Sequence, residues 1–512
     1  MSEITNFSST GVAGNVMDLW TPIIGMDDPT MVPNVPRWLP IEARRRVRAY
    51  EVLDQLYSNV DPPKPTQEEM SPVRTGTVPY LIQVLRDLTV GGEQKIVIPG
   101  ADEESGDAGL KSRQTALEDW AQRNKFYPKV QEAERMAGLL GDVFYRTRVG
   151  RTKGKKDVKV DILHPCFVFP VFDKDDEMES VALIWEEYRS IKGVDVLCVY
   201  KDEYKVSEGR VLETAGWYLY TSIPSLSDLQ LDEYDKTVDG TEIRDLDIQL
   251  DRIPIFHLPN FLTASIYGES DLAFYVDLAK EMNAVDTDIS AAAALVGSPQ
   301  MVVAGLKGRI REGVVQGTDT ETTGPGKVWN VDTNGGKAEY LDNTMMLKCL
   351  AEYYDRVEKR LFRNTRLGKL FSGETDNVRD IESAKALKTL MASLYARIAQ
   401  KRTVRKSFYA ELLKGVCDLF VSISAPGAAS VENILLSFGN VLPSDNADDL
   451  KAVGEIWAQG KGPISAVTAV KMAARAGSGV VDFKSEAADV IKQVTPPKPT
   501  SSFSLSSAPK KK

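Results

Sequence analysis

Tyr267-Gly268-Glu269-Ser270-Asp271-Leu272 opens the stretch on which the fold turns. From there Leu272, Tyr275, Val276, Ala279, Met282 and Ile289 recur at helical spacing until Gly297-Ser298-Pro299, so the sequence predicts one helix over residues 268–296. Glu269 and Ser270 read as its first-turn residues, complementing the helix dipole. The helix carries the acids Glu269, Asp271, Asp277, Glu281, Asp286 and Asp288 against one base, Lys280. Residues 298–340 follow as a short, irregular, Gly-rich module with a strand-like Gln300-Met301-Val302-Val303-Ala304. A helical pattern returns over 345–362, a polar stretch fills 363–380, and a second pattern runs from Ile381 through Leu387, Leu394, Ile398, Phe408 and Leu412 to Phe420. No proline interrupts the chain between Gly326 and Ala425. That last helix would have about 40 residues, close to 60 Å at 1.5 Å per residue. Its apolar stripe lapses at Gln400-Lys401-Arg402, which predicts a kink or a change of packing partner.

Upstream, short apolar or alternating runs alternate with turn residues: 143–145, 158–162, 167–169, 181–185, 196–200 and 217–220, closing near Ile253-Pro254-Ile255-Phe256-His257-Leu258-Pro259-Asn260. They predict an antiparallel sheet within an α+β domain. One long helical segment precedes them over 109–140. An amphipathic helix over 41–57 places Val47, Tyr50, Leu53 and Leu56 on its apolar side, with Arg44, Arg45, Arg46 and Arg48 mostly turned away. The first 40 residues are Pro-rich and read as an extended arm. Downstream lie a strand-like Ile434-Leu435-Leu436-Ser437-Phe438, two short helices over 447–459 and 465–476, and a tail from Thr495 to Lys510-Lys511-Lys512 whose composition is that of a disordered segment.

The chain has 512 residues, 43% of them hydrophobic, with 63 basic and 73 acidic side chains and a formal charge of −10. Length and composition support a folded protein of several parts. The negative balance argues against tight nucleic-acid binding through an overall basic surface, so any DNA contact is local or loose. Cys166, Cys198, Cys349 and Cys417 lie far apart without a CxxC pair and read as reduced core thiols, and no signal peptide or membrane-spanning stretch is legible.

Catalytic material is scarce. The two histidines, His164 and His257, sit in apolar, Pro-flanked settings and read as structural. Gly324-Pro325-Gly326-Lys327 has Val328 where a phosphate loop needs Ser or Thr, and Pro325 removes an amide donor. Gly268-Glu269-Ser270 lacks the second glycine of a nucleophile elbow. Asp173-Lys174-Asp175-Asp176-Glu177 has Met178 in place of the calcium-loop glycine and reads as a solvated hairpin turn. Asp286 and Asp288, two apart on a helix, do not face one another and make no metal pair. The residues thus predict no catalytic site, no metal and no cofactor.

The Gly268-x-Ser270-Asp271-Leu272 helix start with its Asn283, the Ser383-Ala384-x-Ala386-Leu387 start of the long helix, and Leu442-Pro443-Ser444-Asp445 followed by Gly462-Pro463-Ile464-Ser465 occur in a telling order. In this order the chain resembles the portal proteins of tailed double-stranded DNA bacteriophages, siphophage-like, over residues 141–476. The resemblance implies an α+β subunit with a wing at 76–267, a two-helix stem at 268–297 and 341–362, and a small α/β clip at 298–340 between them. It further implies a tunnel loop at 363–380, a very long wing helix with its strand at 381–445, and a helical crown at 446–491. The arm with its first helix, 1–75, and the tail, 492–512, fall outside the pattern.

What the resemblance implies for function is a non-enzymatic ring, typically of twelve copies, around a channel for packaging and ejecting DNA at one capsid vertex of the virion, assembled in the host cytoplasm. Its partners would be the terminase large subunit, the head-tail adaptor protein, the major capsid protein and double-stranded DNA passing without sequence specificity, with no membrane involved. Arg363, Arg366, Lys369 and Arg379 of the tunnel loop would touch the DNA backbone, or else be solvated charges paired with Glu374, Asp376 and Asp380. Asp277, Glu281 and Asp288 would line the channel and repel DNA, with helical spacing keeping some of them off the channel side. Two alternatives stay open: another phage head or connector protein, and a soluble α+β enzyme with an unrecognised carboxylate site.

Overall fold

The computed structural model describes residues 19–24, 41–59, 73–101, 108–152, 154–175, 177–191, 194–207, 209–220, 231–233, 244–247, 252–263, 265–297, 301–304, 337–340, 344–367, 391–423, 433–439, 455 and 469–470. The chain divides into two units, Met1–Gly439 and Asn440–Lys512. In the second unit the described residues are Glu455, Ala469 and Val470, each helical. Apart from these three residues the expected crown helices lie outside the described residues, as do most of the Pro-rich arm, the tail, Lys369 and Arg379.

The first unit is mixed α and β. After a helical turn at Thr21–Ile24 come α1 (Ile41–Tyr57), α2 (Thr77–Val90), β1 (Gln94–Val97), α3 (Ala108–Arg123) and α4 (Phe126–Leu140). Nine strands follow, β2 (Asp142–Thr152), β3 (Lys155–Leu163), β4 (Val168–Phe172), β5 (Met178–Ile191), β6 (Val194–Ser207), β7 (Arg210–Tyr220), β8 (Leu231–Glu233), β9 (Arg244–Asp247) and β10 (Ile255–Pro259). Then come α5 (Val276–Gly297), β11 (Met301–Ala304), β12 (Lys337–Tyr340), α6 (Thr344–Asn364), α7 (Ala392–Ser422) and β13 (Leu435–Phe438).

A three-stranded antiparallel sheet, order β10-β2-β3, is the wall on which the α+β domain is built. Side chains alternate across a strand. Val143 and Tyr145 of β2 therefore face α3, α4 and α7, in a core with Trp120, Phe126, Val130, Phe408, Tyr409 and Leu412. Phe144 faces the other way, packing with Val168, Val181, Leu183, Tyr204 and Val211 of the second sheet, order β4-β5-β6-β7-β8 with β9 also on β7. The sheet reading of this region holds. Two sheets are present, because β2 is apolar on both faces and each needs its own cover. The 173–177 turn is a hairpin connection, in which Asp173 Oδ1 accepts the Asp175 and Glu177 amides at 2.8 and 2.9 Å.

Several boundaries differ from the sequence reading. The single helix over 109–140 is two helices, broken at Lys125, whose φ is 52°. Pro128 explains the break: inside a continuous helix its ring would strike the carbonyl four residues earlier, whereas the first turn of a new helix tolerates it. Helix α4 then ends on Gly141 at φ 95°, a left-handed cap whose N–H donates to the Ala137 carbonyl at 2.8 Å. Arg46 does not turn away from the core. Its side chain is buried, donating to the Pro165 and Val168 carbonyls at 3.0 and 2.8 Å and lying over the Tyr50, Phe169 and Tyr267 rings.

Helix α5 starts at Val276, eight residues after Gly268. Where the lapse at Gln400-Lys401-Arg402 predicts a kink or a change of packing partner, α7 runs on as one helix and its inward positions pass from apolar side chains to charged ones with carboxylate partners. Of the cysteines, Cys417 is buried, Cys166 is half-buried and Cys349 is exposed on α6, so the core-thiol reading fails for Cys349. Among the described residues no helix is long and apolar enough to cross a membrane.

Candidate nucleic-acid interface

Residues 268–272 form a socket instead of a first helical turn. A Cβ on Gly268 would stand 2.2 Å from the Gly141 carbonyl oxygen, so only glycine lets the two backbones meet. The Gly268 amide donates to Asp142 Oδ1 at 2.7 Å, and the Ser270 hydroxyl donates to the Leu139 carbonyl and accepts from the Leu272 amide. The expected first-turn role of Ser270 and Glu269 is therefore corrected: Ser270 is a buried tie to the end of α4. Glu269 is half-buried, and burial raises its carboxyl against the pull of Arg397.

Asp271, counted among the acids of the expected helix, is buried. It accepts from Arg397 at 2.8 Å and from Lys401 at 2.5 Å. Burial would raise its carboxyl, and the two cations more than reverse this, holding it below the usual range. Lys401 also lies 3.6 Å from Glu134, and burial pushes its ammonium down against both carboxylates. One turn further along α7, Arg405 forks onto both Glu134 oxygens at 2.8 and 3.0 Å and donates to the Asn260 side-chain and backbone oxygens. Arg397, Lys401 and Arg405, each four apart, thus form one inward row of cations on α7.

The socket anchors an antiparallel helix pair. Tyr275, just before α5, donates to the Asn364 carbonyl at the end of α6 at 2.9 Å. Tyr353 of α6 donates to Glu281 of α5 at 3.3 Å, and Arg397 reaches the Thr365 carbonyl at 3.5 Å. The far ends of the two helices lead into the antiparallel pair β11-β12, Met301 opposite Tyr340. α5 has 22 residues and α6 has 21. Each is therefore about 30 Å long.

Most of α6 is uncovered: among its described side chains only Val357, Leu361 and Phe362 are buried, while Met345, Met346, Cys349 and Tyr353 are exposed.

Asp277 and Asp288 are exposed and Glu281 is half-buried. At about 100° per residue these three fall within about 40° of one another, so helical spacing does place them on a single face, contrary to the expectation. Asp286 lies on the opposite side, toward Tyr354, whose hydroxyl is pushed up to about 12 by burial and then by Glu358 and Asp286. Arg363 is not in a loop. It is exposed in the last turn of α6, which ends at Asn364. Arg366 is exposed just beyond, in the left-handed region at φ 64°.

The sequence reading missed Arg356, Lys359 and Arg360, which are exposed and share with Arg363 the face of α6 turned away from α5. Their signal was legible in spacings of three and four residues ending in the Lys359-Arg360 pair. Two like-charge pairs, Arg356 with Arg360 and Lys359 with Arg363, sit at i,i+4 here, and Asp277 with Glu281 makes a third on α5. Each such pair weakens an isolated helix by about 0.2 to 0.5 kcal/mol.

Both histidines have structural contacts. His257 Nε2 pairs with buried Asp142 Oδ1 at 2.7 Å and its ring stacks on Phe144, while His164 Nε2 meets Asp54 at 3.0 Å. Among the described residues no group of three or more His, Cys, Asp or Glu side chains is placed to hold a metal ion. In comparison with known proteins, the chain matches no family model and no curated protein.

Proposed function

We propose that this chain is a portal-type subunit: copies assemble as a ring around a channel through which double-stranded DNA enters and leaves a bacteriophage capsid. In that role it docks the terminase large subunit on one side and the head-tail adaptor on the other, within the major capsid protein shell. The observation that carries this reading is the antiparallel pair α5 and α6, rooted on an α+β domain at one end and running into a small two-stranded module at the other. A 21-residue helix with three buried side chains is poorly covered in a single copy, which favours assembly.

The charge pattern suits a conduit as well. DNA must pass without sticking, and every phosphate neutralised adds affinity through counterion release. A subunit with formal charge −10, in which Arg366 just beyond α6 stands singly, limits that affinity. Within this reading the acidic face of α5 has two available destinations, the channel and the next copy, and charge reversal separates them.

Negative-stain microscopy with native mass measurement at micromolar protein tests the proposal. The expected result is a closed ring of about twelve copies with a central hole, since heterologous contacts close into rings. A monomer that persists across protein and salt concentrations overturns it.

A further inference from the structure

The outer faces of the helix pair carry opposite charge. On α5, Asp277, Glu281 and Asp288 lie on one face, exposed or half-buried. On α6, the exposed bases Arg356, Lys359, Arg360 and Arg363 point away from α5. Among the described residues none of these seven forms an ion pair within the chain, and only Glu281 has a hydrogen bond, from Tyr353. Each face brings like charges together at i,i+4; Lys280, three residues from Asp277, and Glu352 and Asp355, four from Arg356 and Lys359, offset part of that repulsion, and an external partner of the opposite sign would relieve the rest.

We propose that these two faces are the halves of one lateral interface, the acidic face of α5 in one copy docking on the basic face of α6 in the next. The inference rests on the ring reading above and names the surface that closes the ring. Two observations favour a second copy over DNA as the occupant of the basic face. The complementary face exists on the same chain. The exposed apolar side chains Met346, Cys349 and Tyr353 flank the bases, as a protein interface core requires.

Geometry agrees with this docking. Rotation about a ring axis keeps every atom at its own height. The hydrogen bond from Tyr275 to the Asn364 carbonyl holds the start of α5 beside the end of α6 within one copy. In a ring whose axis runs along the pair, Arg360 and Arg363 of the neighbouring copy therefore stand at nearly the height of Asp277 and Glu281, while Asp288, about 16 Å further along α5 than Asp277, lies beyond these bases.

The test uses two charge-reversed variants of the full chain, Asp277→Lys with Glu281→Lys and Arg360→Glu with Arg363→Glu, with circular dichroism to establish that both fold. The first variant is basic on both faces and the second acidic on both. Each alone should need about tenfold or more protein to reach half assembly. An equimolar mixture should form rings of alternating copies, because every contact is then complementary. Rings from each variant alone at wild-type concentrations overturn the inference and leave the portal reading standing, and so does failure of the folded mixture to assemble. So would variants that form normal rings yet lose DNA, which would give the basic face to phosphate. A wild-type chain that forms no ring at all would sink the portal reading and this inference together.

Discussion

Asp271→Asn removes one charge from the buried socket and leaves its shape unchanged. The substitution deprives Lys401 of its 2.5 Å partner while the ammonium stays almost wholly enclosed, 1% exposed, with Glu134 at 3.6 Å as its remaining carboxylate. Arg397, at 12% exposure, can turn toward water; Lys401 cannot. Leaving a buried charge unpaired costs about 3 to 5 kcal/mol. A ceiling comes from titration: a lysine with an ordinary pKa near 10.4 can shed its proton at pH 7 for about 4.6 kcal/mol. With Glu134 still present, the expected loss is about 3 kcal/mol. Hydrogen exchange of the α7 amides around Ile398 to Tyr409 reads this directly, since local opening free energies map onto exchange rates. The amides should exchange about a hundredfold faster.

Adding Lys401→Met, which replaces the stranded ammonium by an apolar chain of similar length, should recover at least about 2 kcal/mol. The acid limb carries the same signature. The folded carboxyl of Asp271 lies below its unfolded value, so its contribution is fully present above about pH 4 and drains away as pH falls further. An exchange change under about fivefold, or simple additivity of the two substitutions within about 0.5 kcal/mol, would refute the claim that these charges depend on one another.

The joint between the two sheets gives a second pH prediction with the opposite sign. Asp202 is pushed up to about 6 by burial and then by Glu213, against the pull of Arg146, which bridges it to Asp161. A raised carboxylate stabilises the fold below its unfolded pKa, and that contribution is lost as pH rises through 6. Asp202→Asn should therefore gain on the wild type by about 2 kcal/mol between pH 4 and pH 8 in urea titrations, and a pH-independent difference would remove the assignment. Under the proposed portal reading, Arg366→Ala with Lys369→Ala should leave ring assembly intact and lower DNA retention in a packaging assay. Full retention by that variant would return these bases to solvated loop charges.

Local periodicity made much of this architecture legible. The alternation of 143–145 and 158–162, the helical spacing from Leu272 onward and the Pro-free run after Gly326 each announce an element that is present. The errors arise where a side chain's partner is remote. Nothing near Lys401 in sequence reveals Asp271 and Glu134, so a charged turn on a long helix read as a lapse when it was the inward face. Arg46 was misplaced for the same reason, its acceptors being the Pro165 and Val168 carbonyls. Helix α2 is legible in the spacing of Val78, Leu81, Ile82 and Leu85, whereas the pairing of Gln94 with Phe438 joins segments remote in sequence that no local pattern connects. Pro128 marked the division of α3 from α4 and was outweighed by the apolar run around it.

The cation row of α7 also determines how the helix pair can act. Arg397 holds Asp271, ahead of α5, and the Thr365 carbonyl, just past α6, while Tyr275 ties the same two ends together directly. Both helices thus rise from one fixed base, and that base is secured to α4 through Ser270 and through the Glu134 fork on Arg405. In the proposed ring, Thr365 and Arg397 would link Arg366 to Asp271, so a socket that ties the ends of both helices to α7 would suit a subunit that holds its helices fixed while DNA passes.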